Sequence, residues 1–223
     1  MSDAVNLGIG GKHLLTHPFY KRWEAGTLLE GELGSYAEQY RHIESALPAV
    51  LTSIEDSLPS GTARDLVSQN LNDELNSPMA HVELFEMFAT RANAKPNVDS
   101  TSATRALVNF QQSTASDDPI FGLSVLAAYE LQAAEIAQSK GDGLRKHFGF
   151  DEIGTRFWDV HTKMEESHAD WSLDALAALG AEASQVCAFA KLAATYWWEF
   201  LDERNEAGCR AGANEGALDI SRV

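Results

Sequence analysis

Between residues 33 and 206 the apolar side chains recur every three or four positions, and no alternating apolar/polar run of useful length interrupts them. That period puts apolar groups on one face of a helix and would scatter them over both faces of a strand, so it excludes a sheet-based fold. The stretch "LGSYAEQYRHIESALPAVLTSIEDSL" reads as one long helix bent at Pro48, whose ring removes a backbone donor. Further helices are expected at 62 to 76, 78 to 93, 101 to 115, 118 to 140, 154 to 179 and 182 to 206, each bounded by Gly, Pro, Ser or Asp. The joins "NAKPNVDSTS", "KGDG" and "FGFDEIG" are short polar or glycine-containing loops. The expectation is therefore an all-α, compact bundle of about seven helices forming a single domain over residues 13–206. Residues 1–12 read as a flexible N-terminus. The Gly- and Ala-rich "NEAGCRAGANEGALDISRV" offers little to bury, so 207–223 read as a flexible C-terminal tail.

Charge narrows the function. Seventeen basic against thirty-three acidic residues give a formal charge of −16, which repels a nucleic-acid backbone or an anionic membrane surface. The start "MSDAVNLGIGGKHLL" has no basic segment followed by a long apolar run, and no window reads as the roughly 20 apolar residues that span a bilayer. A cytoplasmic protein without nucleic-acid or membrane partners is expected. Cys187 and Cys209 are too few for a disulfide framework and neither has zinc-finger spacing, so both read as reduced thiols.

Three segments place metal-ligating side chains where a bundle would bury them. In "HTKMEESHADW", His161, Glu165 and His168 follow i, i+4, i+7 spacing on the stripe that carries Phe157, Met164 and Trp171. Inward imidazoles and an inward carboxylate require partners, and a metal would supply one. A single inward histidine is more often a hydrogen-bonded core residue, so the weight rests on the three together. In "GLSVLAAYELQAAEIAQSK", Glu130 interrupts a small-residue stripe formed by Leu126, Ala127, Ala133, Ala134 and Ala137, while Glu135 faces away. Pairing with an Arg or Lys of another helix is the plainer reading of Glu130. In "LNDELNSPMAHVELF", Ser77 suits an N-cap and Pro78 a first helical turn. One helix then ends near Asn76 and the next starts at Ser77, letting Glu74 and His81 converge across the break. A surface helix-loop-helix would look similar.

Glu74, His81, Glu130, His161, Glu165 and His168 make three carboxylates and three imidazoles, a donor set suited to two iron or manganese ions held in a bundle core. The ferritin-like arrangement does not apply: "EESH" supplies one Glu-x-x-His, and no second helix repeats it.

With these residues in place, the chain resembles the haem-oxygenase-like diiron oxidases of the wider TenA/PqqC-like superfamily. The carriers are a glutamate followed seven residues later by a histidine, a "YE" helix, and a His-x3-acid-x2-His helix. Within that group, "HPFYKRW", "YAEQYRH", "LNDE", "YELQ" and "VHTKMEESH" are similar to the chlamydial protein associating with death domains and its bacterial relatives, the self-sacrificing 4-aminobenzoate synthases; the likeness spans residues 13 to 200. The resemblance implies a haem-oxygenase-like fold, two transition-metal ions (Fe/Fe or Mn/Fe), O2 as co-substrate, an external reductant and a homodimer. It further implies that Tyr20 is the tyrosine cleaved to give the aromatic ring of 4-aminobenzoate for folate synthesis. Lys140 falls on the lysine implicated as amino donor, and Tyr36 on a pocket tyrosine. Where Glu165 stands, such relatives carry aspartate, so reach at that ligand is one methylene longer.

Read without the resemblance, Tyr20 is a packed aromatic and Lys140 a cation complementing a helix C-terminus; Lys140 lies about 15 Å along the helix from Glu130, beyond direct reach. A TenA-type thiaminase is disfavoured because "YELQAAEIAQ" lacks a cysteine nucleophile, and a PqqC-type oxidase because the chain is poor in Arg and Lys. Two alternatives stay open: a conventional diiron oxidase acting on a small amine, amino acid or fatty acid, and a non-enzymatic helical module that binds a protein partner.

Overall fold

The structure, a computed structural model, describes residues 1–76 and 78–220, with side chains through Cys209. Nine α-helices and two short 3-10 turns make up the described residues, and no strand occurs among them. In chain order the helices are α1 (Ser2–Ile9), α2 (Pro18–Ala25), α3 (Glu32–Ser57), α4 (Thr62–Asn76), α5 (His81–Arg91), α6 (Ser102–Asp117), α7 (Pro119–Phe148), α8 (Glu152–Ala178) and α9 (Ala183–Ile220). The last seven fall on the seven expected from periodicity. The two extra ones have eight residues each, too few for a three-four period to stand out.

Residues 1–12 are therefore not a flexible lead-in: α1 buries Ala4, Val5, Gly8 and Ile9 and lies along α9. Gly8 is required there, since a Cβ would stand 2.4 Å from the Cys187 carbonyl oxygen. The stretch 207–220 read as a tail continues α9; residues 221–223 lie outside the described residues. Pro78 does not open a helix either. α5 begins at His81 after Ala80, and the expected cap Ser77 is outside the described residues.

α7 is the axis of the bundle, packed most extensively on α8 and also on α9, α6 and α2. Asp118 caps its start, accepting from the Ile120 amide at 2.8 Å, and Pro119 occupies the first turn, where no amide partner is lost. The expected stop at "KGDG" does not occur. α7 runs through it to Gly149, which takes φ 67° at the C-terminus. Gly143 serves packing instead: a Cβ there would lie 2.9 Å from the Trp23 ring, so its absence lets α2 approach. α7 is long and apolar enough to cross a membrane by length and composition, yet 67% of its apolar window is buried inside the bundle, as befits a core helix. Apolar groups from α2, α3, α5, α7, α8 and α9 form one aromatic-rich half of the core, with Trp23, Tyr36, Phe85, Phe88, Trp158 and Phe200 fully buried.

Candidate metal centre and aromatic cage

The six ligand-type residues are buried, none more than 8% exposed. α8 turns His161, Glu165 and His168 inward together, while Met164 and Trp171 sit at the edge of the stripe. The break between α4 and α5 brings Glu74 and His81 together, with His81 Nδ1 2.8 Å from Glu74 Oε2. From there the cluster closes. His168 Nδ1 lies 3.7 Å from Glu74 and 3.8 Å from Glu165, His161 Nε2 lies 3.9 Å from Glu165, and the His81 and His161 rings are 4.5 Å apart. Glu130 joins from α7, one oxygen accepting from Asn70 Nδ2 at 2.8 Å.

His161 is in its ligating form. His161 Nδ1 donates to the Phe157 carbonyl at 2.7 Å, which leaves the Nε2 lone pair for the cluster. Burial, then the neighbouring His81, pushes the His161 pKa down to about 3, so the ring is neutral at pH 7. His168 presents Nδ1 to the cluster and Nε2 to Asp73, 3.7 Å away; burial likewise lowers its pKa.

The carboxylates are divided. Burial pushes Glu130 up to about 7, and burial with three neighbouring carboxylates pushes Glu165 well above the usual range. Burial acts on Glu74 in the same direction, but the hydrogen bond from His81 and the three imidazoles together outweigh it and hold Glu74 low. Among the described residues no Arg or Lys ion-pairs with Glu74, Glu130 or Glu165, and Glu130 Oε2 has no hydrogen-bond partner. The ion-pair reading of Glu130 thus finds no partner. Oxygen and neutral imidazole donors converging in a buried space without a protein cation are what a divalent transition metal takes up.

Sequence reasoning passed over three neighbours of the cluster. Asn70 and Asp73 are the hydrogen-bonding and facing partners of Glu130 and His168. Glu44 on α3 is the third, 5% exposed on the stripe of Tyr36 and Tyr40. The signal was the one that singled out Glu130: a carboxylate on an inward stripe.

Lys140, Tyr20 and Tyr36 form a second buried group, separate from the first. Lys140 sits eight residues inside α7, 1% exposed, and so does not complement the helix end. Its Nζ donates to Tyr36 Oη at 2.6 Å, and Tyr36 Oη is 3.1 Å from Tyr20 Oη. The same Nζ stands over the rings of Trp158 at 4.3 Å, Tyr20 at 4.6 Å, Tyr36 at 4.9 Å and Tyr40 at 5.1 Å. Burial holds the ammonium well below its usual pKa, only partly countered by Glu44. Lys140 need not reach Glu130, because its partners come from α2, α3 and α8. The two groups meet at a small cavity of about 40 Å³ lined by Tyr40, Glu44, Tyr129, Glu130, His161 and Glu165, among others.

Carboxylate and imidazole donors buried in a helical bundle suit a redox-active transition metal, and comparison with known proteins gives the class as metal-dependent oxidoreductases. Residues 35–198 match the family described as iron-containing redox enzymes, haem-oxygenase-like in fold. A protein of Nitrosomonas europaea named 4-aminobenzoate synthase is 32% identical, over 93% of this chain and 92% of its own length. The 4-aminobenzoate synthase of Chlamydia trachomatis is 32% identical over 75% of each chain. Among solved structures, a TenA homologue from Pseudomonas syringae superposes with a TM-score of 0.76 at 13% identity, over 92% of this chain and 89% of that one. A CADD-like protein of unknown function from Nostoc punctiforme gives 0.74 at 13% identity, over 93% and 96%. The chain belongs to the iron-containing redox enzyme family and is an oxidoreductase. The reading as a non-enzymatic interaction module is thereby set aside.

Proposed function

We propose that the protein is a self-sacrificing 4-aminobenzoate synthase whose aromatic ring comes from Tyr20 and whose amino group comes from Lys140. The observation that carries this is the placement of the Lys140 amine 4.6 Å over the Tyr20 ring, both fully buried. A reading from product chemistry supports it. Tyrosine holds a phenol oxygen para to Cβ, and 4-aminobenzoate holds nitrogen para to a one-carbon acid. Cα–Cβ must therefore break, Cβ must be oxidised to the carboxylate, the para oxygen must leave as water when nitrogen takes its place, and the Cε–Nζ bond of Lys140 must break to release that nitrogen from the chain.

The chain's residues suit these demands. Glu74, His81, Glu130, His161, Glu165 and His168 would hold two metal ions, iron with iron or manganese, which supply O2 activation when bound. Burial favours the neutral amine of Lys140, whose lone pair is what attack on an oxidised ring needs. Tyr36 ties the amine and the Tyr20 hydroxyl to one point through its own hydroxyl. The surrounding rings of Trp23, Trp158 and Tyr40 exclude water. Release of the ring from the chain is oxidative, with O2 as the oxidant, and an external reductant supplies the electrons that full reduction of O2 to water needs beyond those the chain gives up.

Metal-loaded protein incubated with O2 and reductant should release at most about one 4-aminobenzoate per chain, because a consumed tyrosine cannot turn over again. Sustained release of many equivalents would contradict self-sacrifice. It would favour a second reading, a conventional oxidase acting on a small amine or acid, for which the apolar walls beside the cluster, including Ile43, Leu47, Leu126 and Trp197, would have to open beyond the cavity of about 40 Å³ found there.

A further inference from the structure

We propose that Glu44 is a metal ligand, completing one of the two ion positions together with His81 and His161. The proposal rests on the reading of the cluster as a metal centre and extends its donor set from six residues to seven. One ligand atom from each of Glu44, His81 and His161 lies within 4.8 Å of the others, and all three residues are buried. Donors about 2.1 Å from a common ion are at most about 4.2 Å apart, so closure asks for side-chain movement of a few tenths of an ångström. Glu44 also has an oxygen in want of a partner: Oε1 is buried without a hydrogen bond. No Arg or Lys among the described residues lies within ion-pair distance of it, although Lys140 acts on it from further away.

Charge gives an independent reason. Two divalent ions carry +4. Glu74, Glu130 and Glu165 supply −3 and leave a net positive charge in a low-dielectric core, which is costly; a fourth carboxylate makes the site neutral. α3 supplies it from the turn after Tyr40, where the helix already faces the cluster.

Chelated wild type, Glu44→Gln, Glu44→Asp and Lys140→Met proteins, each checked for helicity by circular dichroism, should be dialysed against graded Mn(II). We expect wild type and Lys140→Met to bind two ions per chain. Glu44→Gln should bind its second ion at least tenfold more weakly, and Glu44→Asp should fall between, keeping the charge with a shorter reach. Visible absorption of the Co(II)-loaded proteins should differ between wild type and Glu44→Gln, as loss of an oxygen donor changes the ligand field. Equal Mn(II) binding by Glu44→Gln and wild type would overturn the proposal and leave the six-residue site standing. A loss in Lys140→Met equal to that in Glu44→Gln would overturn it too, by showing that Glu44 and Lys140 act only as an ion pair. Wild type that binds no Mn(II) would overturn the metal centre itself.

Discussion

Two buried polar regions share the core of this bundle and treat charge in opposite ways. Among the described residues, the cluster around His161 gathers carboxylates with no Arg or Lys paired to them, whereas the cage around Lys140 surrounds one amine with rings and gives it a phenol as hydrogen-bond partner. In the first, burial pushes Glu130 and Glu165 up; in the second it pushes Lys140 down. The same desolvation thus favours a bound cation in one place and the uncharged form of an amine in the other, a few side chains apart. Tyr40 and Glu44 belong to the wall between them.

The sharpest way to separate the regions is Tyr20→Phe. It removes the phenol from the cage and touches no cluster residue, so 4-aminobenzoate should drop from about one per chain to none, while Mn(II) binding by dialysis stays at the wild-type level. Loss of metal along with product would show that the two regions are one.

Charge tolerance comes next. Lys140→Arg installs a guanidinium that cannot shed its proton in a cage without a carboxylate, and should cost roughly 3 kcal/mol or more by urea unfolding. Lys140→Met should be tolerated within about 1 kcal/mol while making no product. A well-folded Lys140→Arg protein would mean the cage accepts a permanent cation.

The cluster should show the opposite sign with pH. Glu130 has its folded pKa raised from 4.5 to about 7, so the folded state holds the proton more tightly. Its contribution is fully present below about 4.5 and lost as pH rises through about 7. At 1.36 kcal/mol for each pH step, the loss is about 3 kcal/mol. Chelated Glu130→Gln should therefore gain about that much relative to chelated wild type between pH 4.5 and pH 8. Adding metal should reverse the order, since Gln is the poorer ligand. Parallel pH profiles for the two chelated proteins would place Glu130 in a more polar setting.

His168→Ala should give a smaller change. Mn(II) at a hundredfold excess over its dissociation constant should stabilise wild type by about 2.7 kcal/mol, and the variant should lose most of that response. Equal melting shifts in the two proteins would take His168 out of the site.

What the sequence disclosed followed from periodicity, and what it hid followed from packing. His161, Glu165, His168 and Glu130 stood out as polar residues on apolar stripes, and all four are buried in the cluster. Glu44 lay on an equally apolar stripe but among polar neighbours, "RHIES", that diluted the signal. The Pro78 break gave the convergence of Glu74 and His81, though the helix starts three residues later than the proline suggested. Gly141 and Gly143 looked like a loop because glycine in a helix costs conformational entropy; the close approach of Trp23 to Gly143 is a tertiary fact. α1 was hidden by its length, since eight residues show no clear period, and its buried face is defined by the packing of α9 against it.

Isotope tracing of the ring tests self-sacrifice most directly. Protein made with tyrosine carrying 13C at all ring carbons, in otherwise unlabelled medium, would be loaded with metal and exposed to O2 and reductant. The released 4-aminobenzoate would then be weighed by mass spectrometry. We expect every product molecule to carry the labelled ring, and the protein to lose the matching mass at Tyr20. Unlabelled 4-aminobenzoate from a protein whose mass is unchanged would contradict the central claim.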